Sequence, residues 1–173
     1  MCICDRGRKG GPIFQEAFGA GTSTGSPLSQ GTTNYTFVSQ DPQDGEYTIS
    51  DEISFTIGGW HPFLPETTIS NGRALIVNAN ESAGKFYQTP ITGLCENTTY
   101  EFSAFLMNIY NRASNDCENG GIPINVKFEI WDETDTVLLK QGNTGDISST
   151  NTPKWEPHAR TFQTDPGQES VIL

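Results

Sequence analysis

The sequence predicts an all-β fold: a two-sheet antiparallel β-sandwich, jelly-roll-like, that lacks its final strand. Three observations carry the expectation. Apolar and polar residues alternate with a period of two along most of the chain, and no segment holds a helical period. The 173 residues also include 18 glycines and 10 prolines, which divide the chain into short runs separated by turns.

The clearest strand is 124–131, where Ile124, Val126, Phe128 and Ile130 alternate with Asn125, Lys127, Glu129 and Trp131. Tyr100, Phe102, Ala104 and Leu106 mark a second buried face. The opposite side of that run begins polar at Glu101 and Ser103, then turns apolar at Phe105, Met107 and Ile109. Shorter strands are expected at 13–18, 35–39, 46–49, 52–57, 73–78, 85–88, 136–140, 159–163 and 169–173. Prolines fall between these runs or at their ends, where a missing N–H costs no ladder bond. Asp44-Gly45, Asn71-Gly72 and the stretch 132–135 read as turns. Residues 19–33 form a loop of small residues. The reading gives one sandwich domain over 12–173, preceded by an N-terminal arm, 1–11, that follows a targeting segment. The run 169–173 reads as the middle of a strand, so an open sheet edge is expected there, able to pair with a neighbouring protein strand.

Composition narrows the function. A net charge of −11 argues against nucleic acid and against anionic membrane surfaces, both of which need clustered Lys and Arg. No run of 18 apolar residues is present, so no membrane insertion is expected. Four cysteines in a Gly-rich chain allow disulfides. Cys95 and Cys117 are the candidate pair, under a geometric condition. A strand of about ten residues, roughly 33 Å long, lies between them, and disulfide Cα atoms must come within about 7 Å. The pair forms only if the loop 111–122 folds back along that strand. Cys2 and Cys4 lie too close together to bridge each other easily.

Motifs for catalysis are weak. Gly21-Thr22-Ser23-Thr24-Gly25 matches a nucleophile elbow literally, but no helix follows it. The two histidines, His61 and His158, have no zinc spacing and stand beside prolines. The chain is therefore not expected to be an enzyme. Aromatic residues point instead to glycan binding, because a pyranose offers a C–H face that a ring can cover. Trp60, Trp131, Trp155 and Tyr87 are the candidate platforms, with His61 and Arg73 as polar partners. The competing reading of each ring is core packing. Asp41, Asp44 and Glu46 gather in one loop without EF-hand spacing, which makes Asp44 a candidate calcium ligand in an Asp-Gly turn.

A longer pattern runs through the chain. It includes Phe14-Gln15-Glu16-Ala17-Phe18-Gly19, Asp44-Gly45-Glu46-Tyr47, Trp60, Asn71-Gly72-Arg73-Ala74-Leu75 and Gly84-Lys85-Phe86-Tyr87. Gly93-Leu94-Cys95-Glu96-Asn97-Thr98-Thr99-Tyr100 and Asn125-Val126-Lys127-Phe128 continue it, with Trp155 and Phe162 last. This order resembles the N-terminal jelly-roll domains, galactose-binding-like, of large Bacteroidetes cell-surface proteins exported by type IX secretion, of the gliding-motility-associated type. The resemblance implies an extracellular, non-catalytic adhesion or polysaccharide-binding module, often with a structural calcium, for which Glu16 is the candidate ligand. Two alternatives stand beside it: a structural unit of a surface filament or adhesin, and an accessory domain of a secreted enzyme.

Overall fold

The computed structural model describes residues 10–54, 57–65 and 69–173. Among them the fold is almost entirely β. Its nine strands are β1 (Thr36–Phe37), β2 (Glu46–Ser50), β3 (Ala74–Asn78), β4 (Pro90–Thr92), β5 (Thr99–Leu106), β6 (Ile124–Trp131), β7 (Leu138–Ile147), β8 (Glu156–Gln163) and β9 (Ser170–Ile172). They form three sheets, ordered β1-β2-β3, β4-β9-β6-β7 and β5-β8. Pairing is antiparallel, except that the two-residue β1 runs parallel to β2.

The layers follow from the alternation. The even-numbered residues of β6 face inward, and Ile130 joins Ile91, Leu94 and Val171 in one buried cluster. Tyr100 of β5 and Phe162 of β8, opposite each other in the ladder, pack onto that cluster. Phe102 meets Phe128 edge-on at 5.3 Å. The β5–β8 pair therefore lies across the inner face of the four-stranded sheet, and the large aromatic side chains supply the contact.

A second cluster sits at the other end of the same ladder. Ile53, Ala74 and Ile76 are packed there by Trp60, Leu64, Ile109 and Trp155. Ile109 follows β5 and Trp155 precedes β8. The eight-residue strands, about 27 Å long at the usual rise, thus join both cores.

Three expected strands differ. Residues 13–18 do not form one: Phe18 has φ 53°, and the Glu16 carboxylate accepts the N–H groups of Ala17 and Phe18. A side chain that bonds its own downstream backbone holds a turn there. The run 52–57 reduces to an isolated bridge, Glu52↔Phe63, with 55 and 56 outside the described residues. The 85–88 run is irregular, and the strand begins at Pro90 instead, on a sheet edge where proline is tolerated. The final segment is also not an edge. β9 pairs with β4 on one side and, at Trp131↔Ile172, with β6 on the other.

The cysteine expectation is corrected. Cys95 is disulfide-bonded, whereas Cys117 is a free, exposed thiol, so the Cys95–Cys117 bridge does not form. Cys95 precedes β5, and Cys117 lies beyond its far end. The intervening loop does not fold back along the strand. The Tyr110 hydroxyl accepts the Cys117 N–H at 2.8 Å, and Arg112 N–H donates to Thr150 O. Cys2 and Cys4 lie outside the described residues. In the native protein a maleimide should modify Cys117, with Cys95 reacting only after reduction. Peptide mass mapping that finds Cys95 labelled without reductant would contradict this arrangement.

Candidate functional site

The strand register gathers an apolar row on the outer face of the four-stranded sheet. Ile172 stands opposite Pro90 on one side and Trp131 on the other, and Trp131 stands opposite Leu138. Cross-strand partners share a face, so four side chains from four strands lie side by side. Val171, between Ser170 and Ile172, points into the core and is 1% exposed.

Beside this row is an open groove of about 440 Å³. Its walls are Phe14 and Glu16, the loop 28–32, and the segment 87–90, with Ile172 from the strand row. Local sequence explains each wall. The Tyr47 hydroxyl accepts the Leu28 N–H at 2.9 Å and anchors the loop. Thr32 N–H then bonds Ser29 O across a turn in which Gly31 adopts φ 87°. Thr89 exchanges both backbone bonds with Leu173, which fixes Tyr87 and Gln88 at the sheet margin.

Tyr87 and Glu16 meet in this groove. The Tyr87 ring packs edge-on against Phe18 at 5.9 Å. Burial, then the nearby Glu16 charge, pushes its phenol above the usual range, partly offset by a hydrogen bond with Thr89. The phenol is therefore neutral at physiological pH. Phe14 is 39% exposed, so the wall presents an accessible ring. An aromatic surface, a fixed carboxylate and amide side chains in a volume of this size suit a small polar ligand with apolar faces.

Trp131, on the adjoining row, is half-buried. Its indole N–H donates to Glu129 Oε2 at 3.1 Å, and Lys127 pairs with Glu129 Oε1 at 2.7 Å. The Lys127 bond, with help from Trp131, holds the Glu129 carboxyl below its ordinary range against partial burial.

The turn after Trp131 forms the rim. Asp132 accepts the Thr134 hydroxyl at 2.6 Å and the N–H groups of Thr136 and Val137 at 2.7 and 2.9 Å. From the same turn Asp135 accepts the Gln88 amide at 3.1 Å, which ties the rim to the groove. The Thr134 bond and the two backbone bonds hold the Asp132 pKa down at about 2. An unfolded aspartate titrates near ~3.9. The folded value is the lower one, so this contribution to stability is present above about pH 4 and is lost as pH falls toward 2. Carboxyl NMR should place the Asp132 midpoint near 2; an ordinary midpoint would contradict the turn.

The other expected platform residues are spent elsewhere. Trp60 and Trp155 pack into the second core, and the Trp155 indole donates to Pro65 O at 2.7 Å. His61 is 3% exposed, with Nε2 3.0 Å from Thr150 O. Arg73 is a peg: its Nε donates to Ser23 O at 2.6 Å, and its guanidinium packs against Gly19 and Gly21. That contact also accounts for the Gly21–Gly25 motif, because Ser23 meets a cation rather than a base. Asp44 is exposed in a tight turn, closed by Glu46 N–H to Gln43 O and Gln43 N–H to the Glu46 carboxylate. Among the described residues no group of three or more His, Cys, Asp or Glu side chains gathers to hold a metal, so Glu16 and Asp44 belong to no such cage.

Of the groove residues, only Glu16 and Tyr87 were anticipated; its apolar lining was not. Phe14 and Ile172 come from runs read as strands and Leu28 and Pro90 from segments between runs, and only the three-dimensional register brings them together.

Fold and groove define a β-sandwich protein with an open, aromatic-walled surface groove. No helix among the described residues is long and apolar enough to cross a membrane. No family model, curated protein or solved structure matches the chain.

Proposed function

We propose that this chain is an extracellular, non-catalytic glycan-binding module of a cell-surface protein, with the outer-face groove as its site. The carrying observation is the convergence of Tyr87, Phe14 and Glu16 on one open groove beside the Trp131 row. The rings offer stacking surface to the C–H faces of a sugar. Glu16, Gln30 and Gln88 offer hydroxyl partners along an open groove. The resemblance to surface-protein domains of type IX secretion agrees with a role in adhesion or polysaccharide handling.

A glycan array with polysaccharide pull-down, run with calcium and again with EDTA, tests the proposal. The expected result is binding that Tyr87→Ala abolishes and Trp131→Ala weakens. Loss on EDTA would bring calcium into the site.

A second reading is a structural unit of a surface filament or adhesin with no small ligand. It draws on apolar side chains left in solvent, Phe63 at 62% and Phe105 at 55% exposed. Silence across the glycan screen from a folded sample would favour it.

A further inference from the structure

The groove's charge says which glycans it takes. Glu16 is the acidic residue among the described lining residues, and no described lysine or arginine lines the groove. Its Oε1 is committed to the N–H groups of Ala17 and Phe18, at 2.9 and 2.8 Å. These two bonds fix the carboxylate, and Oε2 has no hydrogen-bond partner among the described residues. Glu16 is exposed, so this fixed carboxylate with an open oxygen is available to accept a donor from a ligand, a sugar hydroxyl or an ammonium group, in place of water. It repels a second carboxylate or a sulfate.

The rim does not reverse this sign. Lys85 donates its ammonium to the Gln88 amide oxygen, and the same amide donates to Asp135. The lysine charge next to the groove is thus matched by an aspartate two bonds away. The chain's net charge of −11 adds a long-range repulsion of the same sign.

Resting on the reading of the groove as a glycan site, we propose that its ligand is a glycan without acidic groups. Glu16 accepts hydrogen bonds from uncharged or amine-bearing sugars and turns away uronates and sulfates.

Affinity electrophoresis of the full chain at about 0.15 M salt, where screening acts beyond about 8 Å, tests this. The probes are an uncharged β-glucan, a mannan, a chitosan oligosaccharide, polygalacturonate and heparin. Retention by at least one uncharged or amine-bearing probe, with the acidic probes at least tenfold weaker, is expected. Glu16→Gln keeps an oxygen for the two backbone N–H groups and removes the charge. Gln30→Lys adds a cation to the 28–32 loop that lines the groove while leaving Glu16 unchanged. Each should raise acidic-probe binding relative to the uncharged probe at least fivefold. Acidic probes that bind the unaltered chain best, through Tyr87, would overturn the selectivity while leaving the glycan site standing. No retention of any probe by a folded sample would overturn both.

Discussion

Replacing Ile130 by Ala should remove about 3–4 kcal/mol of stability, a value typical of deleting a buried branched side chain without full collapse of the space. Ile130 is 3% exposed and touches the cluster that holds the layers together: Ile91, Leu94 and Val171 from its own sheet side, with Tyr100 and Phe162 from the facing ladder. A cavity there is bounded by two sheets, so neither can close it alone. Urea denaturation should show a lower midpoint with an unchanged slope, because the surface exposed on unfolding is nearly the same. Ile122 provides the contrast. It is 84% exposed, and Ile122→Ala should fall within about 0.5 kcal/mol of the parent. Equal losses at the two positions would remove the assigned core.

Gly59→Ala should be comparably damaging, by about 3 kcal/mol, for a different reason. Gly59 has φ 82°, where an L side chain costs roughly 1–2 kcal/mol. A Cβ there would also lie 2.5 Å from Tyr110 Cε2 and 3.2 Å from the Asp116 carboxylate. Tyr110 is buried and its hydroxyl holds the Cys117 backbone, so the ring cannot swing away cheaply. The turn it supports also places Trp60, which bridges to Tyr110, and His61, whose N–H bonds Ile109 O. Gly145 separates the two costs. Its φ is 77° but a Cβ would meet nothing within 4 Å. Gly145→Ala should therefore cost only the conformational part, about 1–2 kcal/mol. Thermal or urea unfolding of both variants measures the packing contribution as their difference.

Strand β6 was legible from end to end, because a half-buried strand writes its faces directly into alternation. β7 was seen only at its start, 136–140, since Gly142, Asn143, Thr144 and Gly145 hide a ten-residue strand of weak propensity. Its register shift against Ile130 and Trp131 blurs the period further. The 13–18 run looked like a strand for the opposite reason. Its apolar spacing is right, but Glu16 satisfies the backbone locally.

The site was legible one residue at a time, but not as a constellation. Tyr87 and Glu16 were both singled out, for different chemistries, and they line one groove. Trp60 and Trp155 have the same side chain as Trp131, but they lie in segments that a second core claims. Alternation places Trp131 on the polar face of β6, whereas Trp60 and Trp155 stand in segments with no such pattern. For those two, only the tertiary packing shows that the ring is spent at the end of a ladder. The disulfide failed on the same ground, because pairing depends on which way one loop turns.

Isothermal titration of the parent chain, Tyr87→Ala and Phe63→Ala with a glycan found by the screen tests the central claim most directly. The groove account predicts at least a tenfold loss for Tyr87→Ala, equivalent to about 1.4 kcal/mol, at an unchanged unfolding midpoint. Phe63→Ala, an exposed ring that does not line the groove, should bind as the parent does. Full binding by Tyr87→Ala, with loss in Phe63→Ala, would contradict it.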